Sequence, residues 1–270
     1  MIRDALRYEW ARLTTIRSTW WLTGAALVVG IGLALLISAL SAHEFGKNPP
    51  SGSDIEGLGP FVVTQLAATG QVPSLVGFLL AIVGIFAWGH EYRHGMIRAS
   101  LTALRSREAL WVAKYVVVGA WVVVAQLVTM LVSGVIGEVL LDGYASVLDG
   151  ATFQTMAWQL LSTLLLTWLA MAFTSLTRSQ AFALTAIFLW PLLVENVIRL
   201  VFVLVPSLND AVAVTRLLPF SAQRRMTDVL SEASGTFGDP LSAVGGTVIF
   251  GGLTVVLMIA AYVAFTRRDA

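Results

Sequence analysis

Glu195 and Arg199 stand four residues apart inside an otherwise apolar stretch, Ala181 to Val205. With the acid N-terminal to the base at that spacing, the two share one helix face and can pair. An unpaired charge at the centre of a membrane helix costs about 2.5–3.5 kcal/mol on insertion scales, so the pair should face protein or a water-filled cavity. It can serve as a structural bridge beside a helix break at Pro191, the preferred reading, or as a contact for a substrate or coupling ion. A second charged group runs from Gly89 through His90, Glu91, Tyr92, Arg93, His94, Gly95, Met96, Ile97 and Arg98 to Arg105, Arg107 and Glu108. It lacks a long Gly/Pro-rich linker, sets Ile97, Leu101 and Leu104 at helical spacing, and projects several arginines. Such a segment is either a docking surface for a soluble partner or an amphipathic helix lying on the bilayer.

Other chemistries find little support. His43, His90 and His94 are scattered, and His90-Glu91 lacks the second histidine of an H-E-x-x-H pattern, so no metal site is expected. The chain has no cysteine, which removes disulfides and thiolate catalysis. No G-x-S-x-G motif is present, and no catalytic residue is assigned. The sole Gly-Lys, Gly46-Lys47, is followed by Asn48 and has no glycine-rich cradle for phosphates.

The elements that position these residues follow from composition. Of the 270 residues, 57% are hydrophobic and only 12% charged, against about 25% charged in soluble domains. The mean hydropathy is +0.81, so most of the surroundings must be lipid. Six apolar windows have the length of a membrane helix: Trp20 to Ser41, Val72 to Trp88, Leu110 to Ile136, Gln154 to Leu176, Ala181 to Val205 and Leu241 to Phe265. The first is too long for a signal-peptide core and is read as a retained span. Six spans put both termini on one side. Counting Lys and Arg with the termini cytoplasmic gives twelve inside, Lys114 among them, against five outside, which fits the positive-inside rule. Net charge near zero gives no nucleic-acid footprint.

The expected organisation is a single transmembrane domain over 1–270, with an amphipathic interfacial helix at 1–19, a cytoplasmic segment at 89–109 and an outer loop at 206–240 that has room for re-entrant helices. In the first segment Ile2, Leu6, Trp10 and Leu13 recur at helical spacing, with Arg3, Arg7, Glu9, Arg12 and Arg17 on the remaining surface. Either this helix lies in the membrane interface or it is a basic flank that sets topology. An irregular loop is expected over His43 to Gly59, and a short interfacial or re-entrant piece over Pro60 to Gly70. Only Thr177, Arg178 and Ser179 separate spans four and five, which makes a tight hairpin. Gly24, Gly30, Gly32, Gly245, Gly246, Gly251 and Gly252 are read as sites of close helix packing.

The stretch Gly89-His90-Glu91-Tyr92-Arg93-His94-Gly95-Met96-Ile97-Arg98 resembles the G-E-Y-R-H-G-T-I-R signature of bacterial ABC-2 type permeases, especially the actinobacterial group, with His90 inserted and Met96 in place of Thr. Glu9-Trp10-Ala11-Arg12-Leu13 and Arg17-Ser18-Thr19-Trp20-Trp21 are similar to that group's E-W-x-K-L and R-S-T-W-W. Leu218-Pro219-Phe220 and Phe265-Thr266-Arg267-Arg268-Asp269 resemble its L-P-F and F-x-R-R-D. The resemblance implies an all-α, type V exporter-like fold of six transmembrane helices with an N-terminal interfacial helix carrying Trp10, Leu13 and Arg17. It implies a multi-pass protein of the bacterial inner membrane with cytoplasmic termini, and an exporter in which two permease subunits, as a homodimer, work with separate ATPase subunits that hold ATP and magnesium. No cofactor is expected on this chain itself. Coupling to the ATPase falls, on the same resemblance, to Glu91, Tyr92, Arg93, Ile97, Arg98, Leu101, Arg105 and Arg107. The rival reading is an ion-coupled secondary transporter built on Glu195 and Arg199.

Overall fold

The computed structural model describes residues 2–50, 55, 57–65, 74–93, 95–97, 106–227 and 241–268, and these form helices and turns with no strand among them. In chain order come α1 (Ile2–Thr15), α2 (Arg17–Lys47), α3 (Leu58–Thr64), α4 (Leu75–Arg93), α5 (Arg107–Leu140), α6 (Gly150–Thr177), α7 (Gln180–Leu204), α8 (Pro219–Arg225) and α9 (Ala243–Arg268). A 3₁₀ segment, Pro206–Leu217, joins α7 to α8. Six of these helices, α2, α4, α5, α6, α7 and α9, are long and apolar enough to cross a bilayer, and the chain is an all-α polytopic membrane protein.

Burial sorts the six into two sets. In the most apolar window, 67% of α4, 50% of α5 and 61% of α6 is buried, against 22% of α2, 17% of α7 and 22% of α9. The first three form the centre and the others its rim. Close approach at the centre depends on missing side chains: a Cβ at Gly84 of α4 would lie 2.8 Å from Thr167 and 2.9 Å from Met171 of α6. Of the glycines expected to pack helices, Gly30 does so against Thr129 and Val76, and Gly246 against the Ala222 carbonyl. Gly251 is in ordinary contact with Leu165, and Gly245 meets only the neighbouring Leu241 and Ser242. Gly24, Gly32 and Gly252 face open space, so these three, on the outward faces of α2 and α9, do not mark contacts within the chain.

Several boundaries depart from expectation. α2 continues as helix to Lys47, so residues 43–47 are not an irregular loop; Asn48 ends it by donating its backbone N–H to the Glu44 carbonyl. α3 begins already at Leu58, where loop was expected, and is buried along nearly its whole length. It stops at Gln65, whose left-handed backbone (φ 52°) turns the chain while its side-chain amide donates to the carbonyls of Val62 and Val63. Helix starts elsewhere carry local caps: Ser106, Asp149 and Ser179 accept from the backbone N–H groups of Ala109, Thr152 and Phe182. The turn after α6 is as short as expected, with Arg178 in the left-handed region.

α7 does not break at Pro191. It widens into a π turn over Trp190–Val194 and resumes as α-helix at Glu195. Proline has no N–H to donate, and a π turn absorbs the irregularity without ending the helix. The Asn196 side chain then donates to the carbonyls of Pro191 and Leu192, at 3.2 and 2.8 Å.

Candidate functional site

The bundle has a proximal end, where α1, the end of α4, the start of α5 and the end of α9 meet, and a distal end carrying α3 and α8. At the proximal end, α1 turns inward a stripe of Ala5, Glu9 and Leu13, spaced one turn apart. This corrects the expected apolar face. Ile2 and Trp10 are about half exposed, whereas Glu9, assigned to the surface, is 1% exposed. Charge decides the rotation, because Glu9 meets a lysine in the interior.

That lysine is Lys114, fully buried on α5. Its Nζ donates to Glu9 Oε1 at 2.9 Å and to Glu91 Oε1 at 2.6 Å. Arg12 closes the group: its Nη2 and Nε donate to Glu9 Oε2 at 2.7 and 3.0 Å, its Nη1 lies 3.4 Å from Glu91 Oε1, and its Nη2 also reaches the Ala87 carbonyl at 2.9 Å. Two acids and two bases sum to zero, and the ammonium lies 5.1 Å from the centre of the Trp88 ring. Such an assembly tolerates burial because every charge has an opposite partner, and breaking one pair strands the other member in a dry site. It can bind α1, α4 and α5 into one rigid joint.

The chain's C-terminal helix reaches the same place. Phe265 of α9 packs edge-on against Trp88, with ring centroids 5.4 Å apart, and Arg107 donates to the Thr266 carbonyl at 3.1 Å. Tyr262 donates to Glu108 at 3.2 Å. Three separated sequence motifs, around Glu9, Glu91 and Phe265, therefore assemble into one structure.

The residues expected to couple to a partner divide accordingly. Glu91 is buried in the ion cluster and does not project outward. Tyr92 stacks on Trp88 and lies under the Arg178 guanidinium, 5.7 Å from its ring centre. Arg93 is exposed at the end of α4, Ile97 packs partly buried against the proximal core, and Arg107 is half-buried. Arg98, Leu101 and Arg105 lie outside the described residues. In the N-terminal segment Leu13 is core, Trp10 packs on Trp121 at 5.8 Å while staying half exposed, and Arg17 is exposed at the start of α2.

At the distal end, Glu195 is 2% exposed. Its carboxylate accepts the backbone N–H groups of Phe220 and Ser221, at 2.7 and 2.8 Å, and the Ser221 hydroxyl at 2.8 Å. α8 has Pro219 in its first turn and no capping side chain of its own, so Glu195 caps it from another helix. Arg199 donates to the same Ser221 hydroxyl, at 2.8 Å. The pair thus meets on a third residue from the Leu218-Pro219-Phe220 region.

Neither Glu9 nor Lys114 was singled out from the sequence, although a lone lysine in an apolar span was itself a signal that a buried carboxylate must be near. Lys114 is also removed from the count of exposed basic residues that set topology, since it is inside the bundle. Among the described residues no group of three or more His, Asp or Glu side chains is arranged to hold a metal ion. Compared with known proteins, residues 5–204 match the family model described as ABC-2 family transporter protein, a span that takes in the ion cluster and Glu195 but ends before Phe220. No curated protein matches the chain.

Proposed function

Because the chain belongs to the ABC-2 family of transporter proteins, we propose that it is the permease of an exporter driven by a separate ATPase subunit, two permease copies forming a homodimer. The ion cluster carries this reading. Its four members sit on α1, on the last turn of α4 and near the start of α5, and α4 and α5 are the two helices that flank residues 94–106. A force applied to that segment by a partner would reach both spans and the interfacial helix through one joint, without slack. On this reading Glu91 transmits the motion, and contact with the ATPase belongs to Arg93, Ile97, Arg98, Leu101, Arg105 and Arg107. Export, the inner-membrane location with cytoplasmic termini, and ATP and magnesium on the partner rest on the resemblance of the motifs. Glu195 and Arg199 are assigned to bracing α8, not to carrying a coupling ion.

The test is a mild-detergent purification of the tagged chain from its own membranes, with mass spectrometry of what co-purifies and an ATPase assay on the eluate. A soluble partner with a P-loop, lost when Arg98, Leu101 and Arg105 are all changed to Ala, is the expected result. With Glu91→Gln the partner should stay bound and hydrolyse ATP while transport falls. A homo-oligomer that never co-purifies with an ATPase would sink the reading.

A further inference from the structure

At the proximal end a cleft of about 470 Å³ lies between α5, α6 and α9. Three aromatic side chains line it, Trp111 of α5, Trp168 of α6 and Tyr262 of α9. Their placement is held from behind. Trp168 donates its ring N–H to the Tyr115 carbonyl at 3.1 Å and is seated against Gly119, where a Cβ would come within 3.0 Å of its Nε1. Trp111 is backed by the Tyr115 ring, with centroids 4.2 Å apart, and stands 5.4 Å from Tyr262 at an interplanar angle of 73°, so the Trp111 and Tyr262 rings form a corner.

One charged group lines the cleft, the exposed carboxylate of Glu108 on α5. It accepts the Tyr262 hydroxyl at 3.2 Å, and among the described residues no base pairs with it; the adjacent Arg107 donates to the Thr266 carbonyl instead. One hydroxyl fills only one of the roughly four acceptor sites of a carboxylate. The rest of the wall is aliphatic or thioether: Val112, Val255, Met258 and Ile259. A carboxylate beside tryptophan and tyrosine rings attracts a cation twice over, by its charge and by the ring quadrupoles, and tryptophan is the strongest of the rings in this respect.

We propose that this cleft binds a lipophilic cation from the bilayer, a single alkyl chain with an ammonium head and no phosphate, its head against Glu108 and the Trp111–Tyr262 corner and its chain along Val255, Met258 and Ile259. The order of the lining residues in depth agrees. Glu108 is the second residue of α5 and Tyr262 lies six residues before the end of α9, which puts the carboxylate and the corner towards the proximal interface. Val255 lies seven residues deeper on α9, about 10 Å of helix rise, and Trp168 lies nine residues before the end of α6, about 14 Å. Both depths fall within one leaflet of hydrocarbon, about 15 Å. The volume falls in the range of about 300–1,000 Å³ typical of sites that hold small molecules. A neutral chain would leave the carboxylate without a cation, and a phospholipid with an ammonium head would bring a phosphate beside it. The inference concerns binding alone, requires only that the helices span a bilayer, and stands or falls separately from the ATPase reading.

The experiment places the full chain in phosphatidylcholine nanodiscs and measures binding of radiolabelled dodecyltrimethylammonium at micromolar concentration, with empty nanodiscs as the background. Wild type should show saturable binding, displaced by the unlabelled cation but several-fold less well by dodecanol, which lacks the charge, or by dodecylphosphocholine, which adds a phosphate. Glu108→Gln keeps an acceptor for Tyr262 but removes the charge, and should weaken binding several-fold. Ile259→Trp, at an exposed position on α9, fills the cleft and should abolish binding; Val255→Trp fills it from one turn deeper and is a second route to the same loss should the first variant fold poorly. Displacement by dodecanol or dodecylphosphocholine as effective as by the cation, or affinity unchanged in Glu108→Gln or in a folded cleft-filling variant, would overturn the assignment. So would the absence of saturable binding to wild type, the outcome expected if a second copy of the chain covers the cleft.

Discussion

Lys114 has no path to water, and its three ammonium hydrogens are directed to Glu9, Glu91 and the Ala87 carbonyl. Lys114→Met leaves two carboxylates with a single arginine between them. Removing one member of a buried ion pair costs about 3–5 kcal/mol, so this variant should melt well below wild type. Adding Glu91→Gln returns the cluster to neutrality, and the double variant should recover much of the loss. Melting followed by size-exclusion chromatography in detergent checks this; a double variant no more stable than the single one would mean the lysine is not what makes the carboxylates tolerable. The sequence made little of this cluster visible. Its members lie 23 and 105 residues from Lys114, and only the rule that a charge in a lipid-like interior needs a partner could have joined them. Glu195 and Arg199 were legible as a neighbouring pair, being one turn apart, but their common partner Ser221 was not, since it lies beyond the end of their helix.

At the scale of elements, the π turn in α7 sets the direction in which Glu195 points. Such a turn is equivalent to one extra residue in an α-helix, and one residue is about 100° of rotation. Deleting Leu193, which is exposed to the bundle's surroundings, should convert the π turn to regular helix and leave Glu195 facing α8. Inserting one alanine there instead should swing Glu195 away and leave the Phe220 and Ser221 N–H groups without their acceptor, a penalty of about 1–3 kcal/mol for each buried group. The two variants should therefore differ in melting temperature, the deletion staying near wild type; equal destabilisation would argue against the π turn as the register-setting element. The six spans were plain in the sequence because a lipid-facing helix needs an unbroken apolar run. α3 was blurred because seven residues, Leu58–Thr64, hold barely two turns and give no period to read. Pro191 suggested a break, and it was the side chain of Asn196, occupying the carbonyls around the irregularity, that accompanied continuity instead.

For the whole molecule, the six spans among the described residues put the ion cluster, α1 and the end of α9 at one face and α3 and α8 at the other. The chain lacks cysteine, so the orientation can be tested with single substitutions. Ser146→Cys, exposed in the distal loop after α5, should react with an impermeant thiol reagent in intact cells, and Thr177→Cys, exposed at the proximal end of α6, should react only after lysis. The reverse pattern would invert the molecule. The joint at the proximal face also differs in kind from the surface around it. Its four charges cancel within one small volume, with Glu9, Glu91 and Lys114 buried and only Arg12 partly exposed, so mobile ions have little net field to screen and little access to the pairs. Exposed arginines such as Arg93 have both. On the permease reading proposed above, raising the salt concentration should accordingly weaken capture of the partner while leaving the amount transported per ATP hydrolysed unchanged in the complexes that remain, which would make the transmission, unlike the docking, indifferent to the ionic state of the cell.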